Sequence, residues 1–231
     1  MIEAIFFDFN GVIIDDERLQ MKAAQTALSA YDIALTEQDY YASLGMDADT
    51  FMRTAFARTG RAPDDATLAA ALASFDQQFR AIIEADELPL FPGVVTFIKA
   101  VSRRYTLALV SMARRDYINY VLKRAGLDGR FSVIISAEDV TACKPDPACY
   151  TTALARLNEQ RRAKGQPPLA PAACLVIEDA PPGIQSGRAV GMRTLGVTNT
   201  VEESALRAAG AEVVTHSLSD WTTDAVHHVF D

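Results

Sequence analysis

The chain has 231 residues, 49% hydrophobic and 23% charged, which suits one large domain, or a domain with a smaller insert, around an ample core. Its formal net charge of -8 repels a phosphate backbone and argues against nucleic acid as a partner. Three cysteines without a CxxC pair (Cys143, Cys149 and Cys174) read as a reduced, cytoplasmic chain without structural zinc, and the start MIEAIFFDFNGVIIDD has neither a secretion-signal pattern nor a membrane span.

Residues Ala4 to Phe9, AIFFDF, are short, apolar and aromatic, as a buried strand requires, and Asn10-Gly11 breaks the run as a turn. From about Glu17 to Pro89 the pattern is helical throughout: MKAAQTALSAY, EQDYYASLG, ADTFMRTAFARTG and ATLAAALASFDQQFRAIIEAD. Leu88-Pro89-Leu90-Phe91-Pro92-Gly93 then marks a stiff return. Strand-like runs follow at TLALVS, SVIISA, ACLVIED, RTLGVT and EVVTHS. Helical patterns such as VVTFIKAVSRR, DYINYVLKRAGL, ACYTTALARLNEQRRAKG and GIQSGRAVG lie between them. Alternating continuous apolar strands and helices predict an α/β fold, a Rossmann-like parallel sheet covered on both faces. A core of residues 1–16 and 90–231 would carry a small all-helical cap, 17–89, inserted after the first strand. Such an insert would sit above the carboxyl ends of the strands, where open α/β sheets bind ligands.

Those strand ends deliver polar side chains: Asp8 and Asn10 from the first, Ser111 from the second, Lys144 after the third, Glu178 and Asp179 from the fourth. Taken singly, each has a plainer reading as a cap, turn former or surface residue. Together they suit phosphoryl transfer. A carboxylate such as Asp8 can attack phosphorus, provided the meeting of two anions is offset by cations. Magnesium takes oxygen ligands, for which Asp8 and Asp179 are candidates, with Glu178 direct or through water. Lys144 would neutralise phosphate charge. Ser111 and the backbone N–H groups that follow, from Met112 on, would bond phosphate oxygens.

The same residues carry a resemblance. FDFNGVIIDDE, VSMARR, CKPDP and VIEDAPPGIQSGRAVGM resemble the four motifs of the haloacid dehalogenase superfamily, and the nearest subgroup is the β-phosphoglucomutase-like phosphatases. The resemblance implies a hydrolase acting on a small phosphorylated metabolite such as a sugar phosphate, with Asp8 as nucleophile. It also implies Mg2+ held by Asp8, Asp179 and the backbone carbonyl of Asn10, and phosphate bound by Ser111 and Lys144. Arg114 keeps a cation near the second motif, and Gly45 matches the cap's substrate-loop glycine, although a helix C-cap explains Gly45 equally well. The cap would open and close on hinges near Asp15 to Arg18 and Pro89 to Pro92. A phosphomutase is the second enzymatic expectation, and a monomer is the default for a lid that must move.

One position departs from the resemblance. Phosphatases and mutases of this kind normally have a second aspartate where Asn10 stands, serving as general acid and base. A carboxamide has no proton to cycle at neutral pH. Three explanations stay open: another residue or water takes the proton role, the residue is an engineered trap, or the chain has kept the fold for binding alone. Asn-Gly is also prone to deamidation, which would restore an aspartate. Gln20 and Ala48 replace residues that mutase relatives use for a second phosphate. His216, His227 and His228 fall outside the strand ends and read as surface residues.

Overall fold

The computed structural model describes residues 1–85 and 87–230, so the final Asp of the ATLAAALASFDQQFRAIIEAD stretch lies outside the described residues. The chain divides into two compact units, Asp16–Pro89 and the remainder, Met1–Asp15 with Leu90 onward. Asp16, which the sequence reading assigns to the core, belongs instead to the smaller unit. It is the N-cap position of the first helix, its carbonyl accepts from Gln20 N at 2.9 Å, and its carboxylate accepts from the Gln20 side chain at 3.1 Å.

Among the described residues the smaller unit holds four helices, α1 (Glu17–Ser29), α2 (Glu37–Tyr41), α3 (Ala48–Arg58) and α4 (Asp65–Ala85). Thr36 and Asp47 accept the Asp39 and Thr50 amides and so start α2 and α3, as side-chain oxygens at N-caps do. Apolar stripes at helical spacing are buried: Ala23, Ala24, Ala27 and Leu28 on α1, Phe51, Met52, Ala55 and Phe56 on α3, and Leu68, Ala71, Phe75, Phe79 and Ile83 on α4. The alanines on α1 let α4 approach closely. Gly45 stands in the turn between α2 and α3 with φ +86°, a left-handed conformation that glycine adopts without strain.

The larger unit holds six parallel strands in the order β3-β2-β1-β4-β5-β6. They are β1 (Ala4–Phe7), β2 (Thr106–Val110), β3 (Val133–Ile135), β4 (Cys174–Glu178), β5 (Arg193–Val197) and β6 (Val213–Thr215). Each lies within one of the apolar runs. The helices are α5 (Val94–Val101), α6 (Arg115–Arg124), α7 (Ala148–Ala163), α8 (Pro181–Ala189), α9 (Glu203–Ala209) and α10 (Thr223–Phe230). Gly126, at φ +63°, follows the end of α6 as a C-terminal glycine should. The sequence reading did not mark out α9 and α10. Both are short, and α10 carries His227 and His228.

Period-two alternation divides β1 between two cores. Ala4 and Phe6 join Ala108, Val110, Val176 and the buried face of α7 (Cys149, Tyr150, Ala153, Leu154, Leu157). Phe7 points to the opposite side, edge-on to Phe97 of α5 and to Phe131. Helices thus cover both faces of the sheet, and every residue of β1 and β4 is buried. Among the described residues no helix is long and apolar enough to cross a membrane.

Beyond β3 a short capped turn fixes the neighbouring strand end. Ser136 N and Ser136 Oγ both donate to Asp139 Oδ2 at 2.9 Å, and the Arg156 and Arg115 guanidiniums pair with the same carboxylate. Arg115 also donates to Ile134 O, and Ala137 N to Ala113 O, which pins the loop after β2. Partial burial pushes the Asp139 carboxyl upward, but the Ser136 hydrogen bonds and the Arg156 and Arg115 charges outweigh it and lower it to about 2. A group depressed in the folded state adds stability above its unfolded value, and the gain is lost as pH falls towards the folded one. Asp139→Asn should therefore cost on the order of 1–2 kcal/mol at neutral pH. The gap from the unaltered protein, read by urea titration, should shrink as pH falls from about 4 towards 2. A gap independent of pH would refute the assignment.

Candidate active site

The chain runs outward from β1 to β2 and β3, then returns to place β4 on the other side of β1. The crevice where strand order reverses lies between the carboxyl ends of β1 and β4, the general location of ligand sites in open α/β sheets. Asp8 follows β1 directly and its N–H bonds Ile177 O at 3.0 Å. Glu178 ends β4 and Asp179 follows it.

Lys144 reaches this crevice from the connection between β3 and α7, where its peptide bond to Pro145 is cis. Its Nζ donates to Asp8 Oδ1 at 2.7 Å, to Glu178 Oε1 at 2.6 Å and to Val110 O at 3.2 Å, so all three of its protons are engaged. Asp146 and α8 hold that connection in place: Ser186 Oγ donates to Asp146 O at 2.7 Å, and Asp146 Oδ1 accepts from Ala148 N at 2.8 Å. Burial by itself would lower the Lys144 ammonium. The Asp8 and Glu178 charges outweigh it and hold the group well above the ordinary lysine value, so Lys144 stays cationic.

Glu178 is almost fully buried, and burial followed by the nearby Asp8 charge pushes its carboxyl up. Lys144 and the Tyr150 hydroxyl pull it only part of the way back, and it stays raised to about 7. Tyr150 OH donates to the same Oε1 at 2.6 Å, and the Lys144 ammonium sits 5.4 Å from the Tyr150 ring centre. Asp8, Glu178 and Asp179 are all buried, and each offers one oxygen within 4.8 Å of those of the other two.

Ser111, one residue beyond β2, donates to Asn10 Oδ1 at 3.3 Å and accepts from Ala113 N at 3.0 Å. Residues Phe9 to Ile14 form a tight loop in which Phe9 O accepts from Ile13 N at 2.8 Å and Gly11 N donates to Ile14 O at 2.9 Å. That last bond bears on deamidation. The Gly11 nitrogen must attack the Asn10 carboxamide carbon, and here it is committed elsewhere, so the fold protects the amide.

The structure thus joins Asp8, Asn10, Ser111, Lys144, Glu178 and Asp179 at one sheet edge. Met112 is buried beside Ser111. Arg114 is exposed at the start of α6 and pairs with Asp116 at 3.5 Å. Gly45 lies in the smaller unit.

Four contributors escaped sequence reasoning. Tyr150 carries no sequence signal, since only the turn after Lys144 aims α7 at Glu178. Gly11, at φ +74°, is required by space: a Cβ there would stand 1.9 Å from Asp179 Oδ2. At Gly183 a Cβ would meet the Glu178 carboxylate at 1.9–2.1 Å. Asn199, beyond β5, donates to Gly11 O at 2.8 Å and ties the first loop to the fifth strand. The glycines were visible as turn or helix-start residues, but not the carboxylates they make room for.

Comparison with known proteins bears on the family and the fold. The chain is 28% identical to validoxylamine A 7'-phosphate phosphatase of Streptomyces hygroscopicus subsp. limoneus over 95% of this chain and 96% of that one. It is 27% identical to a phosphorylated carbohydrates phosphatase of Thermotoga maritima over 91% and 92%. Its fold matches a crystal structure of β-phosphoglucomutase from Clostridium difficile with a TM-score of 0.85, at 20% identity, over 100% of this chain and 97% of that one. The haloacid dehalogenase-like hydrolase profile matches residues 2–191, and the chain belongs to that family.

Proposed function

We propose that this chain is a magnesium-dependent phosphatase of small phosphorylated metabolites such as sugar phosphates, working through an aspartyl-phosphate on Asp8. The observation that carries this reading is Lys144, clamped between Asp8 and Glu178 in a buried crevice. The clamp leaves the Asp8 carboxylate oriented and partly neutralised, which is what a carboxylate nucleophile facing a phosphate dianion needs. Relatives named as phosphatases of sugar-like phosphates support the substrate class.

The residues suit a hard divalent cation. The donors are all oxygens. Counted as ions, three carboxylates against one ammonium leave two negative charges, which one divalent cation balances. Asp8 and Glu178 each keep one oxygen clear of Lys144, so ligation falls to Asp8, Asp179 and the Asn10 carbonyl, with Glu178 Oε2 direct or through water. When bound, magnesium would polarise the phosphoryl group and offset its charge. Ser111 and the backbone N–H groups after it would bond the phosphoryl oxygens, and Glu178 with Tyr150 would keep Lys144 aimed at Asp8. The working state we envisage is a cytoplasmic monomer.

A second reading, a catalytically quiet protein that binds a phosphorylated ligand, draws on Asn10, which has no titratable proton. Phosphomutase activity is a third outcome, read by isomerised sugar phosphate. Phosphate release across a panel of phosphorylated metabolites separates them. We expect release that needs magnesium, is lost in Asp8→Asn, and rises by about 10²–10⁴-fold in Asn10→Asp. Full activity in Asp8→Asn would sink the nucleophile assignment. Binding without turnover by either the unaltered chain or Asn10→Asp would favour the quiet reading.

Space around Asp179 yields a sharper expectation. Gly11→Ala forces a Cβ into the Asp179 carboxylate at a left-handed backbone position. Magnesium binding, followed by titration calorimetry, should weaken by at least tenfold while circular dichroism shows the fold retained. Unchanged magnesium affinity would remove Asp179 from the ligand set.

A further inference from the structure

Among the described residues, Lys144, Tyr150 and Ser111 face the crevice from the larger unit with their protons committed. Lys144 directs its three to Asp8, Glu178 and Val110 O. The Tyr150 hydroxyl is buried and gives its proton to Glu178, and the Ser111 hydroxyl donates to Asn10. Glu178 accepts from two donors and lies beneath Lys144. The side chain placed on the β1 turn beside the nucleophile is the carboxamide of Asn10, held by Ser111 at 3.3 Å. An amide N–H can bond to a departing oxygen but cannot transfer a proton to it.

Resting on the phosphatase reading above, we infer that this site is specialised for phosphates whose leaving group departs as a stable anion without a proton: acyl phosphates, phosphoanhydrides, and enol or aryl phosphates. In the first step an Asp8 oxygen attacks phosphorus. The bond from phosphorus to the leaving oxygen breaks, its electron pair stays with that oxygen, and the group leaves as R–O⁻. In the second step water attacks the phosphorus of the aspartyl-phosphate, the bond to the Asp8 oxygen breaks, and carboxylate and dihydrogen phosphate form, both water protons remaining on the phosphate. Neither step calls on an acid or base that the larger unit lacks. Of the small phosphorylated metabolites proposed above, sugar phosphates lose a poorly leaving alkoxide and should turn over slowly, and activated phosphates should turn over fastest.

The test is a series of substituted phenyl phosphates, alike in size and graded in leaving-group acidity from 4-nitrophenyl to 4-methoxyphenyl, with acetyl phosphate and an alkyl phosphate at the extremes. The value of kcat/KM reports the steps up to phosphoenzyme formation. For the unaltered chain, checked by peptide mass to carry the amide at Asn10, we expect it to fall steeply as the leaving group becomes more basic. For Asn10→Asp the fall should be shallow, so that the gain from the substitution grows along the series towards about 10²–10⁴-fold. The slope of the unaltered chain stands by itself should Asn10→Asp fail to fold. A shallow slope in the unaltered chain, or parallel slopes in the two proteins, would mean that a donor outside this set protonates the leaving oxygen; this overturns the inference and spares the Asp8 mechanism. Turnover that survives Asp8→Asn overturns both.

Discussion

One ammonium organises the larger unit's functional edge. Lys144 bonds the carboxylate just past β1, the last carbonyl of β2 and the last side chain of β4, so three adjacent strands end on a single buried cation. Burying such a charge costs several kcal/mol, which is recovered only where its protons all find acceptors. They do here. Removing any partner would strand the others in a low dielectric, typically a loss of 3–5 kcal/mol. The arrangement is therefore rigid, and rigidity is what a nucleophile and its counter-charge require.

The surroundings follow from that constraint. Glu178 is accommodated at the sheet's end because Tyr150 and Lys144 supply the hydrogen bonds that water would otherwise make. Gly183, in the first turn of α8, leaves room for the Glu178 carboxylate, and Gly11 does the same for Asp179. Asn199 and the Ile14 carbonyl fix the loop between Asp8 and Asp15. Backbone economy in these loops leaves room for three carboxylates in one crevice.

Asn10 sets this crevice apart electrostatically. An aspartate there would bring one more negative charge to a site already short of cations, whereas an amide brings a dipole and a hydrogen bond from Ser111. The chain thus keeps the groups that assemble a phosphoryl-accepting carboxylate while carrying a neutral group beside it, and the chemistry it favours turns on the leaving group.

The strands and most helices could be read from the chain because buried parallel strands are short continuous apolar runs and helices show their period. The order of Asp8, Ser111, Lys144 and Glu178-Asp179 along those runs was also readable, since strand ends of one parallel sheet must share an edge. Boundaries such as Asp16 were not, because they depend on which helix claims a backbone carbonyl. The short helices α9 and α10 carry too few turns for a period to stand out. Tyr150 and Asn199 were hidden for a different reason: their partners are 28 and 188 residues away in the chain, and only the packed sheet brings them within hydrogen-bond reach. The chain alone therefore determined which chemical groups are present and which edge carries them. The tertiary structure decided which proton goes to which oxygen, because hydrogen bonding is set by distances of a few tenths of an ångström that no spacing in sequence encodes.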